Sequence, residues 1–222
     1  GFLLPAGQLA VWALETFETM VDERFVRLAL HSLMLATAAA VLSVVLALFL
    51  AYGRRLTPSP PIVASLRIAS MGYALPGTVI AVGIVIPFGW FDSTLNAFTK
   101  STFDTTVGLI MSGTLVALLF AYVVRFLAIS LQTVESGLGK IRPSMDEAAR
   151  SLGLRPAQAL RDVHVPIMKG SVLTAVLIVF VDVMKELPAT MILRPFDFNT
   201  LAVRAFELAS DERLADSSTA AL

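Results

Sequence analysis

LALHSLMLATAAAVLSVVLALFLAY, residues 28–52, contains no Asp, Glu, Lys or Arg. At 1.5 Å per residue such a run covers about 37 Å, more than the roughly 30 Å of bilayer hydrocarbon. In lipid every backbone amide and carbonyl must bond internally, so the run reads as a helix. The whole chain agrees with it. Of its 222 residues 56% are hydrophobic and only 15% charged, with mean hydropathy +0.78. A soluble domain carries about 25% charged residues. The formal net charge is zero, which leaves no electrostatic footprint for nucleic acid. There is no cysteine, which removes disulfide scaffolds and thiolate metal sites.

Four spans follow from the apolar runs: about 27–52, 62–89, 106–130 and 170–193. The expectation is an all-α polytopic membrane helix bundle forming a single domain over 1–222. GFLLPAGQLAVWAL at the start (1–14) lacks the basic region of a signal peptide and reads as part of a longer span. The closing LADSSTAAL is read as the start of a further span, behind an external loop from 194. Loop charge orients the bundle. The 53–67 connection carries Arg54, Arg55 and Arg67 without an acid. The 125–169 stretch has Arg125, Lys140, Arg142, Arg150, Arg155, Arg161 and Lys169. The 14–26 and 90–105 segments each have one basic residue, Arg24 and Lys100. Basic loops stay in the cytoplasm, so the 131–169 loop faces inward and 194–222 outward.

Within that inward loop, SMDEAARSLGLRPAQALRDVHVP, residues 144–166, encodes a compact double helix. Ser144 with Glu147 three residues on forms a capping box for a helix over about 145–152. Gly153 falls where a left-handed cap is needed. Pro156 suits the first turn of a second helix, about 156–163, and Pro166 ends it. Ala148, Ala149, Leu152 and Leu154 make a small and apolar cluster on a polar loop. The segment is either a structural hairpin on the membrane surface or a docking surface for a soluble partner. His164 reads as a solvated loop residue and His31 as facing helices or the interface.

FVDVMKELPAT, residues 180–190, places Asp182, Lys185 and Glu186 in a sector of about 100° on the fourth span. Charges at bilayer depth cost about 2.5–3.5 kcal/mol each on insertion scales, so they face the bundle interior, a partner or water. Asp182 can pair with Lys185 as a helix lock, and Glu186 is the stronger candidate for a solute path or gate. Pro188 should bend the helix by freeing the Met184 carbonyl. In YALPG, residues 73–77, Pro76 and Gly77 mark a kink or a hinge in the second span. Gly72, Gly77 and Gly83 are alternatively close-packing positions. Asn199 is expected to cap an amphipathic helix over 199–214, with Leu201, Ala205, Leu208 and Ala209 as its stripe. SGLGKI, residues 136–141, fails as a P-loop because Val134 and Ile141 stand where Gly and Ser or Thr are required. The chain therefore has no ATPase of its own, and no nucleophile–base set suggests an enzyme.

Glu147-Ala148-Ala149, three residues, Gly153, nine residues, then Val163-x-Val165-Pro166 resembles the signature of permease subunits of binding-protein-dependent ABC importers. Val stands at two positions where that signature has Ile and Leu. The resemblance implies a type I importer permease fold in a bacterial inner membrane. It also implies a coupling helix seated on a separate ABC ATPase subunit, which holds the ATP and Mg²⁺. Ser144, Glu147, Ala148, Ala149, Leu152, Gly153, Leu154 and Pro166 would form that docking site. A second permease half and a periplasmic solute-binding protein are implied as partners. Residues 181–214, together with GYALPGTVIAVG, are similar to the C-terminal half of iron(III) importer permeases, which implies ferric iron as cargo and no protein-built metal site. Permeases for thiamine, phosphonate or an oxyanion remain alternatives, and so, more remotely, does an ATP-independent secondary transporter.

Overall fold

The computed structural model describes residues 3–221, and among them the regular structure is helical throughout. Twelve α-helices follow in order: α1 Leu3–Met20, α2 Glu23–Leu56, α3 Pro60–Ala69, α4 Gly77–Phe103, α5 Leu115–Gly139, α6 Pro143–Ser151, α7 Pro156–Ala159, α8 Val165–Ile167, α9 Lys169–Met184, α10 Pro188–Leu193, α11 Leu201–Ser210 and α12 Leu214–Ala221. Three of them, α2, α4 and α5, are long and apolar enough to cross a membrane. A fourth crossing arises if Pro156–Ile167 and Lys169–Met184, bent by 84°, count as one span.

The chain divides into two compact units. One gathers Gly1–Ala36, Gly77–Ala121 and Met184–Leu222; the other gathers Thr37–Pro76 and Tyr122–Val183. In the first unit, α12 packs on α1 and α11, and α10 packs on α4. Thr16 and Thr219 join their hydroxyls at 2.9 Å. Ser32 accepts the Leu201 amide at 2.9 Å, and His31 stacks on Phe198 with centroids 4.3 Å apart, so His31 does face a neighbouring segment. The second unit has its core where Ala47, Ala51 and Tyr52 of α2 meet Leu131, Val134 and Leu138 of α5, with Leu66, Leu160 and Met168 closing it.

Three expected spans have different boundaries, and each shift has a local cause. The 62–89 span is broken. Helix α3 stops at Ala69, a 3₁₀ turn covers Gly72–Ala74, and α4 starts at Gly77. Pro76 has no amide to give, and it pushes Leu75 into the extended region, so the helix cannot run through. The crossing helix is Gly77–Phe103, and α3, at about 15 Å, is too short to cross. Pro76 and Gly77 thus lie at a break between helices, not at a kink within one. Nor does 106–130 form one helix, because α5 begins only at Leu115. Residues 104–114 form a strap with positive φ at Asp104, Gly108 and Gly113. Buried Asp92 of α4 collects the Ile110, Met111 and Ser112 amides on its carboxylate, at 3.2, 3.0 and 2.7 Å. Asn96, one turn on, takes the Val107 and Gly108 amides and returns a bond to the Gly108 carbonyl. Unpaired amides at membrane depth are costly, and these two side chains supply the acceptors.

The 170–193 span ends early, at Met184. Pro188 opens α10 as its first residue, with Leu187 as the N-cap, so it starts a helix and does not bend one. At the other end, Thr200 and not Asn199 caps α11, its hydroxyl accepting the Val203 amide. The 18 residues of α1 carry Glu15 and Glu18 and fall outside the membrane-crossing set.

Of the glycines proposed for close packing, the surroundings single out Gly72. A Cβ there would sit 2.1 Å from the Val124 carbonyl oxygen, which is backbone and cannot swing aside. At Gly83 nothing lies within 4 Å of such a Cβ. Gly72→Ala should therefore destabilise the purified protein by about 1–3 kcal/mol, the usual range for overpacking. Gly83→Ala should match or slightly exceed the parent. Thermal unfolding in detergent checks the pair, and equal effects at the two positions would refute the contact.

Candidate coupling hairpin

Arg142 is the N-cap of α6 and Pro143 its first residue. The expected capping box is absent: Ser144 is already inside the helix, and no side chain caps this end. The fixed φ of Pro143 starts the helix one residue earlier than Ser144 would have done. The C-terminus is as expected. Gly153 has φ +77°, its amide reaches the Arg150 carbonyl at 2.9 Å, and the Leu154 amide reaches Ala149 at 3.0 Å. This pair of bonds is a Schellman motif, and its left-handed residue is cheapest as glycine.

The second helix of the hairpin is longer than 156–163. Gln158 Oε1 accepts the Arg155 amide at 2.9 Å, Pro156 occupies the first position, and α7 passes through a π-helical turn at Leu160–His164 into α8. Pro166 does not end the helix. It has no amide for the Asp162 carbonyl, and the turn before it widens, with Val165 bonding five residues back to Leu160. The direction changes at Met168, ahead of α9.

Exposure sorts the predicted docking residues. Ser144, Glu147, Ala148, Leu152, Gly153 and Pro166 are exposed, Leu154 is half-buried, and Leu152 keeps 81% of its surface. A leucine so exposed on a polar hairpin is an open apolar contact. Ala149 is buried at 3% and faces the body of the chain, so it cannot touch a docked partner. Asp146, three residues earlier on the same side, is buried with it.

Asp146 is the residue that sequence reasoning missed. Its Oδ2 receives Arg55 Nε at 2.8 Å and its Oδ1 receives His164 Nε2 at 2.7 Å. His164 is fully buried rather than solvated, and it lies 5.1 Å, centroid to centroid, from the Tyr52 ring. An ionised carboxylate can only accept, so Nε2 of His164 carries the proton. The rest of the Arg55 fork binds the end of α5: Nη1 donates to the Leu138 carbonyl at 2.6 Å and Nη2 to Ile141 at 2.8 Å. The Leu138 carbonyl also takes the Ile141 amide at 3.0 Å, and the cation sits where the end of α5 carries the negative end of the helix dipole. Burial is the largest influence on Asp146 and would raise its pKa. Hydrogen bonds from Arg55 and His164, with their charge, outweigh it and leave the carboxyl below its ordinary value. Arg54–Glu135, at 2.8 Å in the open, is a surface pair of little weight. The signal in the sequence is the coincidence of Arg55, Asp146 and His164 in two basic loops.

The second cluster is partly rearranged. Lys185, Glu186 and Leu187 form the break between α9 and α10, so only Asp182 of the three charges is helical. Glu186 is 6% exposed, and its carboxylate accepts the Ala189 amide at 3.2 Å. It satisfies the start of α10 and is not an open lining group. Asp182 is half-buried, Lys185 exposed, and all three charges have interaction partners.

Helices long and apolar enough to cross a membrane thus carry an ordered polar hairpin, buried on one side and apolar-tipped on the other. A family model described as "Binding-protein-dependent transport system inner membrane component" matches residues 43–195. The chain belongs to this family, the inner-membrane permeases of ABC importers. The Fe(3+)-transport system permease protein FbpB 2 of Haemophilus influenzae is 26% identical over 156 residues, 70% of this chain and 28% of that protein. The putative 2-aminoethylphosphonate transport system permease protein PhnV of Salmonella typhimurium is 29% identical over 145 residues, 65% of this chain and 49% of that protein. The chain thus spans half or less of the length of these relatives.

The low pKa of Asp146 gives a signed pH dependence. Its stabilising share is complete above the ordinary carboxylate value of about 3.9 and is lost as pH falls through the lower folded value. Asp146→Asn should cost about 3 kcal/mol at neutral pH, because it leaves Arg55 without its buried counter-charge. The gap between the two proteins should close in acid below roughly pH 4. Thermal unfolding across pH 7 to 3 measures it; a gap independent of pH would show that the carboxylate charge is not what holds the hairpin.

Proposed function

We propose that this chain is the translocating bundle of an ATP-driven importer, coupling hydrolysis on separate ABC ATPase subunits to uptake of ferric iron delivered by a periplasmic binding protein. The observation that carries the coupling role is the hairpin: its inner side is fixed by buried charge, while Glu147, Ala148 and Leu152 stay open. On the loop-charge orientation that open side faces the cytoplasm, where the ATPase would bind. A second permease half would complete the path. Asp182 and Lys185 are assigned to that path, with Glu186 and Pro188 shaping the break beside them. Pro76 and Gly77, between α3 and α4, are assigned as a hinge. The ferric reading is supported by the similarity to FbpB 2, which covers 70% of this chain. The similarity to PhnV supports a second cargo, a 2-aminoethylphosphonate-like anion.

The test is uptake into proteoliposomes holding the complete permease and its ATPase, with the cognate binding protein and ATP supplied on their proper sides. ATP-dependent accumulation of radiolabelled Fe³⁺ supports the first cargo, and accumulation of labelled 2-aminoethylphosphonate replaces it with the second. Uptake of either solute without ATP would overturn the importer reading itself. In the same vesicles Glu147→Lys and Gly153→Asp should lower uptake at least about fivefold, the lower end of coupling effects, with the protein still inserted. Normal uptake by both variants would remove the hairpin from the docking site.

A further inference from the structure

Four separate stretches of chain are tied together by one guanidinium and the carboxylate it holds. Arg55 is in the last turn of α2. It binds the closing carbonyls of α5 through Leu138 and Ile141, and it binds α6 through Asp146. Asp146 in turn holds His164 in the π-helical turn of the second hairpin helix. The side chains involved are 19% exposed for Arg55, 10% for Asp146 and 0% for His164. Charge-assisted bonds in such surroundings are short, directional and poorly replaced by water. By contrast the Arg161–Asp162 pair, 3.5 Å apart on the open side, joins adjacent residues in solvent. The hairpin is therefore not suspended only from the chain on either side of it. It is bolted to two membrane-crossing helices that are not its immediate covalent continuation on the far side.

We propose that the Arg55–Asp146–His164 cluster is the joint that carries hairpin movement into α2 and α5. Resting on the ATP-driven reading above, this makes the three side chains positioning residues for coupling: a push on the exposed hairpin surface moves the ends of α2 and α5 as one body with it. Without the joint, the push reaches α5 only along the short 140–142 link and α9 only across the bend at Met168, and no side-chain bond carries it to α2. Neutralising Arg55 leaves the docking surface intact, because Glu147, Ala148 and Leu152 lie on the other side of α6. The ATPase still binds and still turns over, and transport falls.

The experiment uses the complete permease with its ATPase in proteoliposomes. Spin labels on Thr57→Cys, just beyond α2, and Arg161→Cys, on the exposed side of the hairpin, report the distance across the joint. In the parent the distance distribution should be narrow and the same with no nucleotide and with ATP plus vanadate. With Arg55→Gln it should broaden or change between the two states. Uptake of the cargo per ATP hydrolysed should drop at least about fivefold, the lower end of coupling effects, while the hydrolysis rate holds. Asp146→Asn serves as the second variant, since it keeps size and removes charge. Arg55→Asp combined with Asp146→Arg should recover part of the lost coupling, which a loss of folding would not. An unchanged narrow distance together with parental uptake per ATP in Arg55→Gln or Asp146→Asn overturns the joint. A parent that takes up no solute with ATP overturns the importer reading instead, and the distance measurement on the joint stands apart from that result.

Discussion

The hairpin depends on a single guanidinium having all of its nitrogens occupied. Arg55 Nε, Nη1 and Nη2 each have an acceptor within 2.8 Å, two of them carbonyls at and just past the end of α5. Take the fork away and three costs appear together. The α5 terminus loses its cap, Asp146 is a buried charge without its counter-ion, and His164 loses the fixed oxygen that orients it. Lysine could not stand in, because an ammonium has no planar fork to reach a carboxylate and two divergent carbonyls at once. Ala47 and Ala51 lie in the core where α2 meets α5, and Ala149 is buried on the Asp146 side of α6.

The same requirement, that buried backbone groups be bonded, explains where the helices break. At each interruption a side chain or a turn takes over from the helix. Asp92 and Asn96 hold the amides of the strap before α5, Glu186 holds the amide that opens α10, and the Leu75 amide closes on Gly72 ahead of Pro76. Proline is present at four of the sites where a helix starts, 60, 143, 156 and 188, where its missing amide removes a group that would otherwise need a partner.

These facts mark what could be read in advance. The α2 span was legible because 25 apolar residues in lipid admit one backbone solution. Gly153 was legible because a left-handed cap has a strong residue preference. The second, third and fourth spans were misjudged for a common reason: hydropathy reports depth, not continuity. A run such as IVASLRIASMGYALPGTVIAVG is apolar on both sides of the Pro76 break, so nothing in its average hydropathy marks the end of α3. Capping residues were misplaced by one or two positions at α6 and α11, where proline at 143 and the hydroxyl of Thr200 won over Ser144 and Asn199. Asp146 and His164 were missed because their partner is 91 residues from the carboxylate, a distance over which local spacing carries no information.

A hairpin proposed to transmit force has reason to be held by charge and not by grease. An apolar contact of the same area resists separation but tolerates sliding, since one methyl group replaces another at little cost. A carboxylate held by two donors at 2.7 and 2.8 Å has one low-energy register, and displacement by a fraction of an ångström strands a buried charge. Buried pairs add little net stability over apolar packing, so their use here answers a demand for position. The division of labour on α6 follows. Asp146 and Ala149 on one side fix where the helix sits, and Glu147, Ala148 and Leu152 on the other are released from any internal duty. Because the helical period places these sets on opposite sides within seven residues, the outer side can be shaped for a partner without disturbing the register of the inner one.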